Sequence, residues 1–401
     1  MIDLYSPEFR RNPFPFYAEI RERLPLMKDP QSGAWMILDY DGVKSALTAH
    51  QQFSSEMKHA GRGNPEWIIF MDPPRQQRLR GLVSRAFTPK AIAELEPLIR
   101  EISRRLLRKV AKRGEMELVE EYAAPLPMMV IAEMIGIPAG DWTRFRRWSD
   151  TILKLSYTVK ADAQADEAIT DYASLKGEMH PHLRAVIEER TAVPEDDLMT
   201  RLVQAEVDCQ RLTESEIIGF IELLIVAGQE TTSNLIANAV LCLSEFPEQR
   251  ARLKAEPALL GSAIEEVLRY RSPVQWLFRA TTCDVEMHGQ TIPKGALVIP
   301  LVGSANRDPR QFADPELFDV GRSPNAHIGF GHGVHFCLGV ELSRLEARVA
   351  LPDLMEHLGE IEVDAGAAWE PRSALHVHGP ARLPIRFRRE SEEVTSSIHQ
   401  L

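Results

Sequence analysis

No stretch of this sequence approaches the roughly 18 apolar residues of a membrane-spanning helix. Its longest apolar pieces, 131–137 and 221–227, are short and interrupted by charge. The opening, MIDLYSPEFRRNPFPFYAEI, lacks the apolar core of a secretory signal. Cysteine is scarce: Cys209, Cys242, Cys283 and Cys337 lie far apart, with no CxxC spacing. That argues against a disulfide or zinc framework and fits a reducing cytoplasm. Positive charge is in deficit, 47 Lys and Arg against 58 Asp and Glu for a net charge of −11, which argues against a nucleic-acid binder. Internal repeats and Gly/Ser-rich linkers are missing too.

What is present points to a large folded unit. The chain has 401 residues, 44% hydrophobic and 26% charged, enough to bury a sizeable core. Apolar spacing and turn signals predict a mainly α fold with small β-sheets, an α+β arrangement. One domain is expected over 1–388, with a polar tail over 389–401. Strands are expected over 34–38, 274–279, 284–287 and 296–300, so the β-rich part divides between 25–60 and 274–300. Helices are expected over 15–24 and through most of 84–270. Within that region, AIAELEPLIREISRRLLRKVAKRG reads as one helix closed by Gly114. The run TESEIIGFIELLIVAGQETTSNLIANAVLCLSEF opens with Thr213 and, three residues on, Glu216, a capping-box signal. Residues 304–327 form a long irregular stretch, uncommon in a compact domain without a functional reason.

That stretch runs into HIGFGHGVHFCLGVELSRLEARVA, residues 327–350. Phe330, Gly331, Gly333, His335, Cys337 and Gly339 all fall within ten residues. A helix is expected to start near Leu338, so Cys337 would meet free amide N–H groups and the positive end of a helix dipole, both favourable to a thiolate. Glycines let the backbone bend and come close to something flat. A buried cysteine beside a glycine turn is the plainer explanation for an isolated Cys-Gly pair. Six such positions together favour a thiolate ligand to a metal or cofactor.

The segment resembles the heme-binding loop of the cytochrome P-450 family in its soluble bacterial form. The resemblance implies heme b (iron protoporphyrin IX) with Cys337 as the axial iron ligand, lying between an oxygen-activation helix and the cysteine loop. It implies that Phe330 packs near the sulfur, that Gly331 and Gly333 turn the chain beneath the ring with Gly339 completing the loop, and that His335 reaches a propionate. Further propionate partners implied by the family order are Arg80 and Arg279, with His327 and Gln76 as weaker candidates; many relatives carry histidine where Gln76 stands.

Other segments follow the same order. Glycine weakens a helix interior by roughly 1 kcal/mol relative to alanine, so VAGQETTSN predicts a deformed helix that makes room for a ligand. By resemblance this is the oxygen-activation helix. Thr231 is then the hydroxyl serving oxygen activation, Glu230 the acid relaying protons, and Ala227 and Gly228 the place where the helix passes the heme. Glu266 and Arg269 share a helix face and resemble the family's buried structural pair. Its third partner is open: Leu317 cannot serve, Arg322 is the better substitute and Arg307 another.

The resemblance implies a monooxygenase, an oxidoreductase that activates O2 with two electrons and hydroxylates or epoxidises a hydrophobic small molecule. With no Gly-rich dinucleotide or flavin module in the sequence, electrons are expected from a ferredoxin or flavodoxin and its NAD(P)H-dependent reductase. Arg75, Arg78, Arg344 and Arg348 would form a basic docking patch. By family position the substrate pocket takes in Trp67, Ile68, Phe70, Leu223, Leu224, Ala227, Val274, Trp276, Leu277 and His376, and residues 161–173 belong to a mobile lid. Two other readings are a peroxide-driven heme-thiolate peroxygenase and a non-catalytic heme-binding sensor.

Overall fold

The computed structural model describes residues 6–30, 32–56, 66–137, 141–156, 163–363 and 369–388. The expected tail over 389–401, residues 57–60 of the β-rich part and residues 161–162 of the expected lid lie outside them. The helices that position the site are α1 (Arg75–Ala86), α2 (Glu96–Val110), α3 (Ala163–Ala192), α4 (Glu214–Glu245), α5 (Leu260–Tyr270) and α6 (Val340–Leu358). The strands that matter are β1 (Leu26–Lys28), β2 (Trp35–Ile37), β3 (Phe53–Ser54), β4 (Arg279–Thr281) and β5 (Leu297–Pro300). These five form one sheet in the order β1-β2-β5-β4-β3, with β5 parallel to β2 and the other pairs antiparallel. Strands from both halves of the expected β-rich part therefore meet in this sheet, while Val285–Met287 pairs with Gln290–Ile292 in a separate hairpin.

Helix α4 is the central rod, buried on nearly every face and packed against α3, α5 and α6. Its start follows the sequence signal. Thr213 N–H donates to Glu216 Oε2 at 2.9 Å, and Glu216 N–H donates back to Thr213 Oγ1 at 3.3 Å. Helix α4 continues as one helical span of 32 residues through Gly228. Gly228 faces the neighbouring helix Pro125–Ile135, where a Cβ would lie 2.7 Å from the terminal methyl Cδ1 of Ile131.

Two other boundaries differ from expectation. The run before Gly114 is two helices, Pro89–Ala93 and α2. Pro97 has no N–H to give the carbonyl of residue 93, so the chain ends one helix and restarts with proline in the next first turn. Residues 274–278 are extended but not a strand. Val274 bridges Val377, Gln275 N–H donates to His376 O at 2.8 Å and Leu277 N–H to Pro300 O at 3.2 Å, so changing partners prevent a ladder until β4. Helix α6 starts at Val340 with Gly339 as its N-cap, close to the expected start near Leu338.

The irregular stretch is held by a buried ionic knot. Glu266 and Arg269, both 0% exposed, pair through two 2.8 Å hydrogen bonds. Arg269 also donates to the carbonyls of Asn306 (3.1 Å), Pro315 (2.8 Å) and Leu317 (3.0 Å). Arg322 Nε donates to Glu266 Oε1 at 3.1 Å and is the third partner, while Leu317 contributes its carbonyl and not its side chain. Arg307 serves elsewhere, bonding Tyr270 O and Glu316. A chain with few ladders of its own is thereby fixed through its carbonyls.

Candidate active site

The loop ahead of α6 turns on left-handed glycines: φ is +74° at Gly331 and +72° at Gly333. Gly331 N–H donates to Ile328 O and Cys337 N–H to Phe330 O, both at 2.9 Å, closing the turn around the cysteine. Gly333 is needed for a second reason, since a Cβ would lie 2.7 Å from Leu47 O in the Tyr40–Thr48 helix. At Gly339 a Cβ would meet no protein atom within 4 Å, leaving that side free for a flat group.

Cys337 is half-buried, two residues before the α6 cap. Burial raises its thiol pKa, while the Gly339 N–H, Arg80 and Arg344 pull it down. Arg344 is itself fixed by a bidentate pair with Glu265, both bonds 2.8 Å, and its guanidinium lies 5.2 Å from the centre of the Phe330 ring. Phe330 thus packs on the cation that faces the sulfur.

Beside the loop, three basic groups crowd together. Arg279 is 6% exposed; burial lowers its pKa to about 10, and Asp72 only partly offsets this. Burial, then the charges of Arg279 and Arg80, lowers His335 to about 4, so at neutral pH it is uncharged. Burial lowers Arg80 as well. Among the described residues, neither arginine has a carboxylate within ion-pair distance, and His335 Nε2 is a buried atom with no hydrogen-bond partner. Each arginine donates to a backbone carbonyl, Arg80 Nη1 to Val334 O at 3.3 Å and Arg279 Nη1 to Phe278 O at 2.7 Å, but positive charge that no carboxylate balances calls for an anion. Heme b brings two carboxylates, and the residues present fit it. Gln76 is engaged differently, since its amide Nε2 donates to Val334 O at 2.7 Å and steadies the loop. His327 is spoken for on both nitrogens, with Nε2 3.0 Å from Glu265 Oε2 and Nδ1 accepting from Gly329 N–H at 3.1 Å, so it has nothing left for a propionate.

On α4, Ala227 is exposed and Gly228 and Thr231 half-buried. Thr231 Oγ1 donates to Ala227 O at 2.5 Å, the back-bond a helical threonine makes when no other acceptor takes its hydroxyl. Glu230 is 4% exposed, with Oε1 3.7 Å from Arg372 Nε. Behind them Glu346 of α6 is buried and hydrogen-bonded to Thr232; burial pushes its carboxyl up to about 8.

The expected pocket residues divide. Ile68, Phe70, Val274, Leu277 and His376 are half-buried and Ala227 exposed, as wall positions would be. Trp67, Leu223, Leu224 and Trp276 are buried in core. Trp276 Nε1–H donates to Leu375 O at 2.7 Å among Phe14, Tyr17 and Leu38; Trp67 bonds Glu222. Of the four arginines expected to form a basic patch, Arg75 pairs with Glu66, Arg78 with Glu216 and Arg344 with Glu265 and Glu341, so only Arg348 keeps its charge uncompensated among the described residues. Reading the sequence missed Glu222, Glu265 and Glu346. The signal at Glu222 and Glu346 was a lone acid on an otherwise apolar helix face; Glu265, beside Glu266, gave none.

The sequence profile of the family described as "Cytochrome P450" matches residues 18–365. The chain is 40% identical over 393 residues to cytochrome P450 109 of Bacillus spizizenii, covering 96% of this chain and 95% of that one. It is 36% identical over 397 residues, 96% of each, to the vitamin D(3) 25-hydroxylase of Pseudonocardia autotrophica. Its fold matches the crystal structure of CYP109E1 from Bacillus megaterium in complex with testosterone, with a TM-score of 0.86, 38% identity and coverage of 94% of this chain and 99% of that one. The chain belongs to the cytochrome P450 family, and with it come heme b bound through a cysteine thiolate, the activity of a monooxygenase on small molecules, and dependence on O2 and a redox partner.

Proposed function

We propose that Cys337 is the residue that ligates heme iron, that Arg80, Arg279 and His335 hold the heme carboxylates, and that Thr231 and Glu230 manage protons on the opposite side. The observation that carries this reading is the convergence of two arginines without a carboxylate partner among the described residues and an orphaned imidazole nitrogen beside a half-buried thiol. The bound heme supplies the O2-activating redox centre. The chain supplies the rest. The Gly339 N–H and the two nearby guanidiniums stabilise negative charge on sulfur. Thr231 can turn its hydroxyl from Ala227 O toward a better acceptor, and Glu230 lies next to Arg372, whose side chain is 17% exposed. Glu230 and Thr231 adjoin on α4, which supports O2 rather than peroxide as oxidant.

The half-buried apolar walls, Ile68, Phe70, Val274 and Leu277, support a hydrophobic substrate. Relatives named for vitamin D(3) hydroxylation or crystallised with testosterone support the same class. The electron donor is a ferredoxin or flavodoxin with its NAD(P)H-dependent reductase, in a cytoplasmic setting. Turnover of an apolar panel with NADPH, a surrogate ferredoxin and its reductase under isotopically labelled O2 tests the reading. One labelled oxygen atom in the product is expected. Product formed only with added peroxide, or none in any condition, contradicts it.

A further inference from the structure

The run FIELLIV in α4 contains one charge, Glu222, which is 0% exposed. A buried carboxylate is costly unless donors meet it, and a leucine would pack in its place at less expense. Donors do meet it, and they come from outside α4. Trp67 Nε1–H donates to Oε2 at 3.1 Å, Tyr172 OH to Oε2 at 2.9 Å and His180 Nε2–H to Oε1 at 2.7 Å. Trp67 belongs to the 66–70 segment, and Tyr172 and His180 lie eight residues apart on α3.

A second feature of α4 serves the same docking. At Gly219, one turn earlier, a Cβ would lie 2.6 Å from Glu66 Cβ and 3.0 Å from Glu66 O. The helix thus offers a gap and then an acceptor at i and i+3, and residues 66–67 fit both. Trp67 in turn stacks on Phe70, with ring centres 6.0 Å apart and planes 8° apart. Ile68 and Ile69, the latter 42% exposed, lie between these two fixed rings.

We propose that Glu222 is a positioning residue that sets the shape of the substrate chamber. Through one carboxylate it registers the 66–70 segment and α3 to the helix that carries Glu230 and Thr231. The proposal rests on the reading of 66–70 as a chamber wall given above. Moving the Trp67 anchor moves Ile68, Ile69 and Phe70 relative to Thr231, and so changes which part of a substrate is presented for oxidation.

Glu222→Gln keeps the size and removes the charge. In the heme-loaded variant, amide hydrogen exchange over 66–71 and 172–180 should rise together by about tenfold, the loss of roughly one hydrogen bond's stabilisation. Exchange in the 331–337 loop and the carbon monoxide spectrum should stay as in the parent. The product ratio from a substrate with two oxidisable positions should shift by about threefold or more. Trp67→Phe and Tyr172→Phe each delete one donor and keep the ring, and they decide the matter if Glu222→Gln does not fold. Because the link runs through the carboxylate, Tyr172→Phe should raise exchange over 66–71 and Trp67→Phe over 172–180. Changes confined to the altered segment, or product ratios unchanged in every folded variant, overturn the proposal and leave the heme site standing. A parent protein without the thiolate signature would overturn the heme site instead.

Discussion

Cys337 depends on charge it does not carry. Burial raises its thiol pKa on balance, and the Gly339 N–H, Arg80 and Arg344 offset that only in part. Burial lowers the pKa of Arg279, which makes it a sensitive test of anion binding. Arg279→Gln should release heme to an apo-globin acceptor about tenfold to a hundredfold faster, as the loss of a charge-assisted hydrogen bond implies. An unchanged transfer rate would remove Arg279 from the carboxylate site. For Thr231→Ala, product formed per electron consumed should fall by about tenfold or more, with Thr231→Ser largely restored. Equal coupling in parent and alanine variant would show that the hydroxyl has no part in oxygen activation. Cys337 was legible because six positions in ten residues constrain one loop. His327 was misread because a histidine's partners are a matter of space: Glu265 lies 62 positions away along the chain.

At the scale of elements, the contact between α4 and α6 contains an acid with no cation partner among the described residues. Glu346 has a folded pKa near 8 against an ordinary 4.5, through burial. The folded protein therefore keeps a proton that the open chain releases. Its contribution to stability is complete below pH 4.5 and is lost as pH rises through 8. Glu346→Gln is neutral throughout. Relative to the parent, the variant should gain on the order of a few kcal/mol of unfolding free energy between pH 5 and pH 9, read by denaturant titration at both. Parallel pH profiles would show that Glu346 does not hold its proton. The start of α4 was readable because a capping box is local. The neighbour of Gly228 was not, since Ile131 lies on another helix. The tryptophans had the same ambiguity: an apolar ring in a sequence does not say whether it faces a ligand or, like Trp276, a cluster with Phe14 and Tyr17.

Across the whole molecule, the Glu266–Arg269–Arg322 knot ties a helix, an irregular crossover and the approach to the cysteine loop into one body. Arg269→Ala strands a fully buried carboxylate and should cost about 3–5 kcal/mol in denaturant unfolding. Arg322→Ala leaves the main pair intact and should cost about 1–2 kcal/mol. Equal losses would mean that Arg322 and Arg269 are equivalent partners. The overall class was legible from helical spacing, two β-rich stretches and the order of motifs. The sheet that joins residues 26–28 to 297–300 was foreseen as two groups of strands but not as one layer, because pairing between distant strands leaves little trace in either.

The most direct measurement is the carbon monoxide spectrum of the reduced protein, taken for the parent and for Cys337→Ala. Thiolate ligation by Cys337 predicts the strongly red-shifted Soret band in the parent and its loss in the variant, whether or not the variant retains heme. The same shifted band in Cys337→Ala, or a parent that binds no heme when supplied with it, would contradict the assignment.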